Sequence, residues 1–131
     1  MTEKTVLIID ENQEVGSLLA DRLGAARGFK VVAQTANPLV AAELAHTWTP
    51  DIILADFKKR GRYGAEMYAW MKKSSPASSL VVLTSYMNEG DEQLYVDAGA
   101  SRCLLKGLAV RDLVGELRDL NGTSGNGDNS V

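Results

Sequence analysis

The chain has 131 residues, of which 45% are hydrophobic and 24% charged, with a formal net charge of -3. These values predict one globular domain with a buried core, and the acidic balance argues against direct nucleic-acid binding by this chain. The single cysteine, Cys103, excludes an intrachain disulfide. No apolar run approaches a membrane span, and an apolar strand follows Met1–Lys4 too closely for a signal peptide, so we expect a cytoplasmic protein.

The first half of the chain alternates strand and helix patterns. Val6–Ile9 predicts the first strand, Gly28 suits the C-terminal cap of the helix that follows, and Phe29–Ala33 predicts the second strand. Asn37 and Pro38 form a cap and first-turn pair for the second helix. The predicted inward residues of helix one are Val15, Leu18, Leu19 and Leu23, and those of helix two are Val40, Leu44 and Trp48.

The third strand, Ile52–Ala55, is apolar throughout, and Leu80–Leu83 predicts the fourth. Between them a third helix begins near Gly64 and is broken by Ser74-Ser75-Pro76. Its predicted inward residues are Met67, Trp70 and Met71.

The loop Asn88-Glu89-Gly90 opens a fourth helix that ends near Gly99, and Cys103–Leu105 predicts a short fifth strand. The last helix has apolar residues at helical spacing: Val110, Leu113, Val114 and Leu117. We expect a domain over residues 1–120 and a flexible tail, or the start of a linker, over residues 121–131, which are rich in glycine, serine and asparagine.

Strands that are apolar on both faces and separated by helices predict an α/β fold: a five-stranded, doubly wound parallel sheet with helices on both faces. In such a sheet the carboxyl ends of all strands meet at one edge, where ligands bind.

Polar residues follow four of these strands. Asp10 and Glu11 follow the first strand, Asp56 the third, Thr84 the fourth and Lys106 the fifth. Several carboxylates at one edge favour a Mg²⁺ ion, which joins carboxylates to phosphate. A lysine can pair with a phosphoryl oxygen as a point charge, and a hydroxyl can donate a hydrogen bond to another. The set therefore predicts phosphoryl chemistry, with Asp56 as acceptor.

Five sequence elements in order resemble the receiver domain of two-component response regulators over residues 4 to about 120. They are Leu7-Ile8-Ile9-Asp10-Glu11, Pro50 through Asp56, Gly64, Val81-Val82-Leu83-Thr84-Ser85, and Ala98-Gly99-Ala100 through Leu105-Lys106. The resemblance implies the flavodoxin-like strand order 2-1-3-4-5.

The resemblance also implies roles. Asp56 would accept a phosphoryl group from a sensor histidine kinase or a phosphotransfer protein, and Thr84 and Lys106 would sense that group. Mg²⁺ would be held by Asp10, Glu11, Asp56 and the backbone carbonyl of Lys58. The chain would then be a switch that acts on an unknown downstream protein, rather than an enzyme with a separate substrate. It could also form a homodimer through the face made by helix four, strand five and helix five.

The chain departs from the family pattern in four places. Glu11 stands where a second aspartate is usual, and Lys58-Lys59-Arg60 covers a position where the family often has Met-Pro. Cys103 stands at the usual aromatic switch position, and Gly107 replaces a proline after the lysine. Tyr86, in the loop after strand four, could take over the switch from Cys103.

These departures leave rival interpretations. The chain could be a degenerate receiver, a protein-interaction module that works without phosphorylation. A Mg²⁺-dependent phosphohydrolase would need a second acid two residues after Asp10, where this chain has Asn12. A flavodoxin would need a phosphate-binding loop after strand one, and the sequence has no such loop there.

Overall fold

Five strands alternate with five helices along residues 3–123, the part of the chain that the computed structural model describes. The elements are β1 (Lys4–Asp10), α1 (Gln13–Gly24), β2 (Phe29–Thr35), α2 (Pro38–Trp48), β3 (Ile52–Asp56), α3 (Gly61–Ser74), β4 (Ser79–Thr84), α4 (Glu89–Asp97), β5 (Ala100–Leu105) and α5 (Val110–Thr123). Because α5 reaches Thr123, only residues 124–131 of the expected tail lie outside the described residues.

The strands form one parallel sheet in the order β2-β1-β3-β4-β5, which confirms the predicted topology. Alternate side chains of β1 point into two separate cores, as expected for a strand covered on both faces. Leu7 and Ile9 belong to the core that includes residues of α2, α3 and α4, whereas Val6 and Ile8 belong to the core with α1 and α5. The sheet is therefore doubly wound.

Asparagine caps start three of the helices just beyond the carboxyl edge of the sheet. The side-chain oxygen of Asn12 accepts a hydrogen bond from the Val15 N–H, and Asn37 and Asn88 cap α2 and α4 in the same way. Each cap satisfies a backbone donor that a helix terminus would otherwise leave free. The predicted starts of α2 and α4 are confirmed.

The end of α1 was wrongly assigned to Gly28. The helix ends at Gly24, and Ala25 is the C-terminal cap. Gly28 instead has φ = +95°, a left-handed conformation that favours glycine, in the turn just before β2. Its carbonyl accepts a hydrogen bond from the Lys4 N–H, so this turn joins the starts of β1 and β2.

Several large apolar side chains predicted to face inward are exposed. On α2, Val40 and Trp48 are 37% and 49% exposed, and small residues are buried in their place: Ala41, Ala42 and Ala45. On α1, Leu18 is half-exposed, whereas Leu23 is buried. The predicted inward stripe of helix two is therefore wrong for Val40 and Trp48 and confirmed for Leu44, which packs against the core beside the buried alanines.

Helix α3 shows the same kind of error. It begins at Gly61, three positions before Gly64, and Trp70 is 43% exposed although it was predicted to face inward. Met71 is buried as predicted, and the large aromatic side chain that fills the core from this helix is Tyr68.

Gly64 is a position where an added side chain should destabilise the fold. A Cβ atom there would overlap the backbone carbonyl oxygen of Lys59 and would lie 3.4 Å from the Tyr95 hydroxyl. Gly64→Ala should therefore lower the free energy of unfolding by about 1–3 kcal/mol, the usual cost of overpacking. Gly115→Ala is the matched control, because a Cβ at Gly115, on the exposed side of α5, meets no atom within 4 Å. Urea unfolding would measure both, and equal stabilities for the two variants would contradict the prediction.

Candidate functional site

Lys106 joins two carboxylates at the carboxyl edge of the sheet. Its Nζ lies 2.7 Å from Asp10 Oδ2 and 2.6 Å from Asp56 Oδ2. Asp10 and Asp56 are paired in register on the adjacent strands β1 and β3, so their side chains meet beside each other. Burial lowers the pKa of Lys106, but the hydrogen bonds and charges of the two carboxylates outweigh burial and raise its pKa above the ordinary value. The ammonium is therefore charged and neutralises part of the acidic site.

Asp10 is the buried member of this group, with 3% of its surface exposed. Its Oδ1 accepts a hydrogen bond of 2.8 Å from the Asn12 N–H, which fixes the carboxylate at the start of α1. Its Oδ2 lies 2.7 Å from the Lys106 ammonium, and within residues 3–120 no other donor reaches it. That oxygen therefore keeps capacity to coordinate a cation.

Glu11 faces the loop after β3. Its Oε2 accepts a hydrogen bond of 2.6 Å from the Lys58 N–H, so the side chain ties the start of α1 to the loop that follows Asp56. In the described part of the chain, no three His, Cys, Asp or Glu side chains are grouped so that they could hold a metal ion. Glu11 is instead bonded to the Lys58 N–H, and the Lys106 ammonium lies between the two aspartates.

Thr84 lies at the end of β4 beside Lys106, as the strand pattern predicted. The Lys106 N–H donates to the Thr84 carbonyl at 2.8 Å, and the buried Thr84 hydroxyl donates a longer hydrogen bond of 3.4 Å to the Tyr86 carbonyl. The hydroxyl is thus held weakly and can exchange partners. The four predicted positions Asp10, Asp56, Thr84 and Lys106 do converge on one edge.

The sequence places Arg60 in the basic run Lys58-Lys59-Arg60 and predicts no partner for it. The structure gives it a definite partner. Its Nη1 donates to the Tyr86 carbonyl at 2.6 Å, and its guanidinium lies 5.1 Å from the centre of the Tyr86 ring. Tyr86 is 56% exposed. This contact joins the loops that follow β3 and β4, and a single sequence carries no signal for it.

Cys103, the predicted switch position, lies on β5 opposite Val82 and packs against the core beneath α4. Burial, with a smaller effect from Glu92, raises the pKa of its thiol to about 11. The thiol is therefore protonated at neutral pH and is a poor nucleophile. It offers a small apolar group, not a ring, at this place.

A sequence model of a protein family, described as the response regulator receiver domain, matches residues 6–118. Among curated proteins, the chain is similar to the response regulator protein VraR of Staphylococcus aureus, with 27% identity over 113 residues. That match covers 86% of this chain and 54% of VraR, so the chain spans about half the length of the curated relatives it matches.

Solved structures share the fold. The signal receiver domain of the putative response regulator NarL from Mycobacterium tuberculosis has a TM-score of 0.82 and 19% identity, covering 93% of this chain and 98% of that one. A DNA-binding response regulator of the LuxR family from Staphylococcus aureus has a TM-score of 0.79 and 19% identity, covering 90% of this chain and 98% of that one.

Proposed function

The chain belongs to the receiver domain family of two-component response regulators, and we propose that it is a working phosphoacceptor whose acceptor is Asp56. The donor would be the phosphohistidine of a sensor kinase or of a phosphotransfer protein. The observation that carries this proposal is the ion triad of Asp10, Lys106 and Asp56, since a purely structural strand end has no need of two carboxylates around one lysine.

In the proposed reaction an Asp56 carboxylate oxygen attacks phosphorus and forms an acyl phosphate. The bond between phosphorus and the histidine nitrogen breaks, and the nitrogen keeps the electron pair. Lys106, already 2.6 Å from Asp56 Oδ2, pairs with a phosphoryl oxygen, and the Thr84 hydroxyl leaves the Tyr86 carbonyl to donate to another. Water later attacks phosphorus, the bond between phosphorus and the Asp56 oxygen breaks, and inorganic phosphate leaves, which restores the carboxylate. The chain acts as a switch and not as an enzyme on a separate substrate.

Mg²⁺ is the cation that these donors fit. They are hard oxygen ligands, and among the described residues the buried Asp10 Oδ2 is met by the Lys106 ammonium and by no other donor. We propose that Asp10, Asp56 and the Lys58 carbonyl hold the ion, with Glu11 joining after it gives up the Lys58 N–H. When bound, Mg²⁺ would draw electrons from the phosphoryl group and screen its charge.

Glu11 provides a test of this metal assignment. Removing one carboxylate from a hard-cation site reduces its charge and its ligand count together. Glu11→Ala should therefore weaken Mg²⁺ binding and slow phosphorylation, whereas Glu11→Asp should preserve or improve both. Mg²⁺ titration followed by amide NMR shifts measures the affinity. Unchanged affinity in Glu11→Ala would mean that Glu11 remains bonded to Lys58 and is not a ligand.

A degenerate receiver remains the second candidate, favoured by Glu11 and Cys103. Intact-mass analysis after incubation with acetyl phosphate distinguishes the two. We expect one phosphoryl group per chain, labile to base and dependent on Mg²⁺. No added mass, in protein that is folded by NMR, would favour the interaction module.

For partners, we propose a kinase or phosphotransfer protein in the cytoplasm and a downstream protein whose binding the phosphoryl group controls. No helix in residues 3–123 has the length and apolar character that crossing a membrane requires. The face made by α4, β5 and α5 exposes Leu94 and Leu105, which are 37% and 50% exposed, and this supports the proposal of a homodimer through that face.

A further inference from the structure

A buried aromatic chain connects the acceptor strand to α4. Tyr68 on α3 is 1% exposed, and its hydroxyl accepts a hydrogen bond of 3.1 Å from the Phe57 N–H. Phe57 directly follows Asp56, the last residue of β3. The Phe57 N–H lies just beyond the end of β3, and a buried N–H needs a hydrogen-bond acceptor. The Tyr68 side chain, from α3, supplies that acceptor.

The ring of Tyr68 continues the connection. Its centroid lies 5.0 Å from that of Phe57 and 4.9 Å from that of Tyr95, which it meets nearly edge-on at 67°. Tyr95 is the one buried residue of α4. These ring contacts form a continuous packed path from residue 57 to α4, and packed cores rearrange between discrete states more readily than they deform.

Tyr68 also lies beside the position that lacks an aromatic residue. Burial raises the pKa of Tyr68 above the ordinary tyrosine value, and the hydrogen bond that its hydroxyl accepts from the Phe57 N–H opposes part of that rise. Tyr68 and Cys103 belong to the same core cluster. The core against which Cys103 packs thus contains an aromatic ring that comes from α3 and not from β5.

We propose that Tyr68 is a positioning residue that couples phosphorylation of Asp56 to the position of α4. This inference rests on the proposed function. A modification shifts a conformational equilibrium only through contacts that differ between the two states. The Phe57–Tyr68 hydrogen bond is such a contact, because phosphorylation of Asp56 adds charge and bulk at the adjacent residue.

The test compares two tyrosine variants that lose the same atom. Tyr68→Phe removes the hydroxyl at Phe57, and Tyr95→Phe removes a hydroxyl that lies beside Gly64 instead. Each protein is treated with acetyl phosphate and Mg²⁺, its phosphorylation is measured by intact mass, and its amide NMR shifts are recorded. We expect all three proteins to be phosphorylated, with the shift changes of residues 89–97 reduced to less than half in Tyr68→Phe and retained in Tyr95→Phe.

Full shift changes at residues 89–97 in phosphorylated Tyr68→Phe would overturn the inference. If that variant does not fold, the wild type provides the test. We expect phosphorylation to change both the NMR shift and the exchange protection of the Phe57 amide. An unchanged Phe57 amide would also overturn the inference. If the wild type gains no phosphoryl mass, the proposed function fails and the inference falls with it. These outcomes are distinguishable because mass and shifts are measured on the same samples.

Discussion

Replacing Asp56 with asparagine should abolish incorporation of a phosphoryl group. The amide keeps the size of the side chain but removes the nucleophilic carboxylate oxygen that now lies 2.6 Å from Lys106 Nζ. Lys106 still has Asp10 as a partner, and one negative charge is lost from a crowded site, so the variant should remain folded. Intact-mass analysis with acetyl phosphate and Mg²⁺ should show complete loss of labelling relative to the wild type.

The matched control for Asp56→Asn is Asp51→Asn. Asp51 lies just before the other end of the same strand, at the opposite edge of the sheet from the proposed acceptor, where its carboxylate accepts hydrogen bonds from Thr5. That variant should be labelled as the wild type is. Undiminished labelling of Asp56→Asn would reject Asp56 as the acceptor, and peptide mapping would then show whether Asp10 carries the group.

Removing the lysine of the triad should have the second large effect. In Lys106→Ala, the buried carboxylate of Asp10 and that of Asp56 would face each other without the cation that now separates them. Breaking a buried ion pair typically costs 3–5 kcal/mol, and because Lys106 and Asp56 are partly exposed we expect a loss of about 3 kcal/mol in the absence of divalent cations. Mg²⁺ should restore much of this loss, since it replaces the missing positive charge.

Urea unfolding in EDTA and in excess Mg²⁺ measures both parts of this prediction. Lys59→Ala, a change of an exposed lysine in the loop beside the site, should alter stability little in either condition. A Lys106→Ala protein as stable as the wild type in EDTA would mean that the two carboxylates do not depend on Lys106 for charge balance. A destabilised variant that Mg²⁺ fails to stabilise would mean that the ion does not replace the lysine between them.

The fold was predictable because its signals are local and repeated. Three signals indicate the same topology: central strands that are apolar throughout, asparagine caps at Asn37 and Asn88, and polar residues at the strand ends. The structure confirms that topology. Helix faces were less predictable. Trp48 and Trp70 have the right spacing for an inward stripe, but how closely a helix approaches the sheet is decided by tertiary packing.

The site residues were predictable as a set, but their contacts were not. Strand order makes Asp10 and Asp56 neighbours and places Lys106 at the same edge, two strands from Asp56, from where its long side chain reaches both acids. Two hydrogen bonds, Glu11 with Lys58 and Tyr68 with Phe57, depend on side-chain rotamers and loop conformation. Neither of these leaves a repeating pattern in the sequence. The pairing of Arg60 with Tyr86 joins two loops, and neither residue alone predicts the other.

The register of the two central strands has a consequence for how this protein can diverge. Asp10 and Asp56 are neighbours on parallel strands, so their backbone separation is set by the sheet spacing of about 4.8 Å and not by any loop. The loop residues 58–60 can therefore mutate without changing the distance between the two acids. Side-chain contacts of that loop, such as the pairing of Arg60 with Tyr86, can in this way change while the acidic pair stays fixed in the sheet.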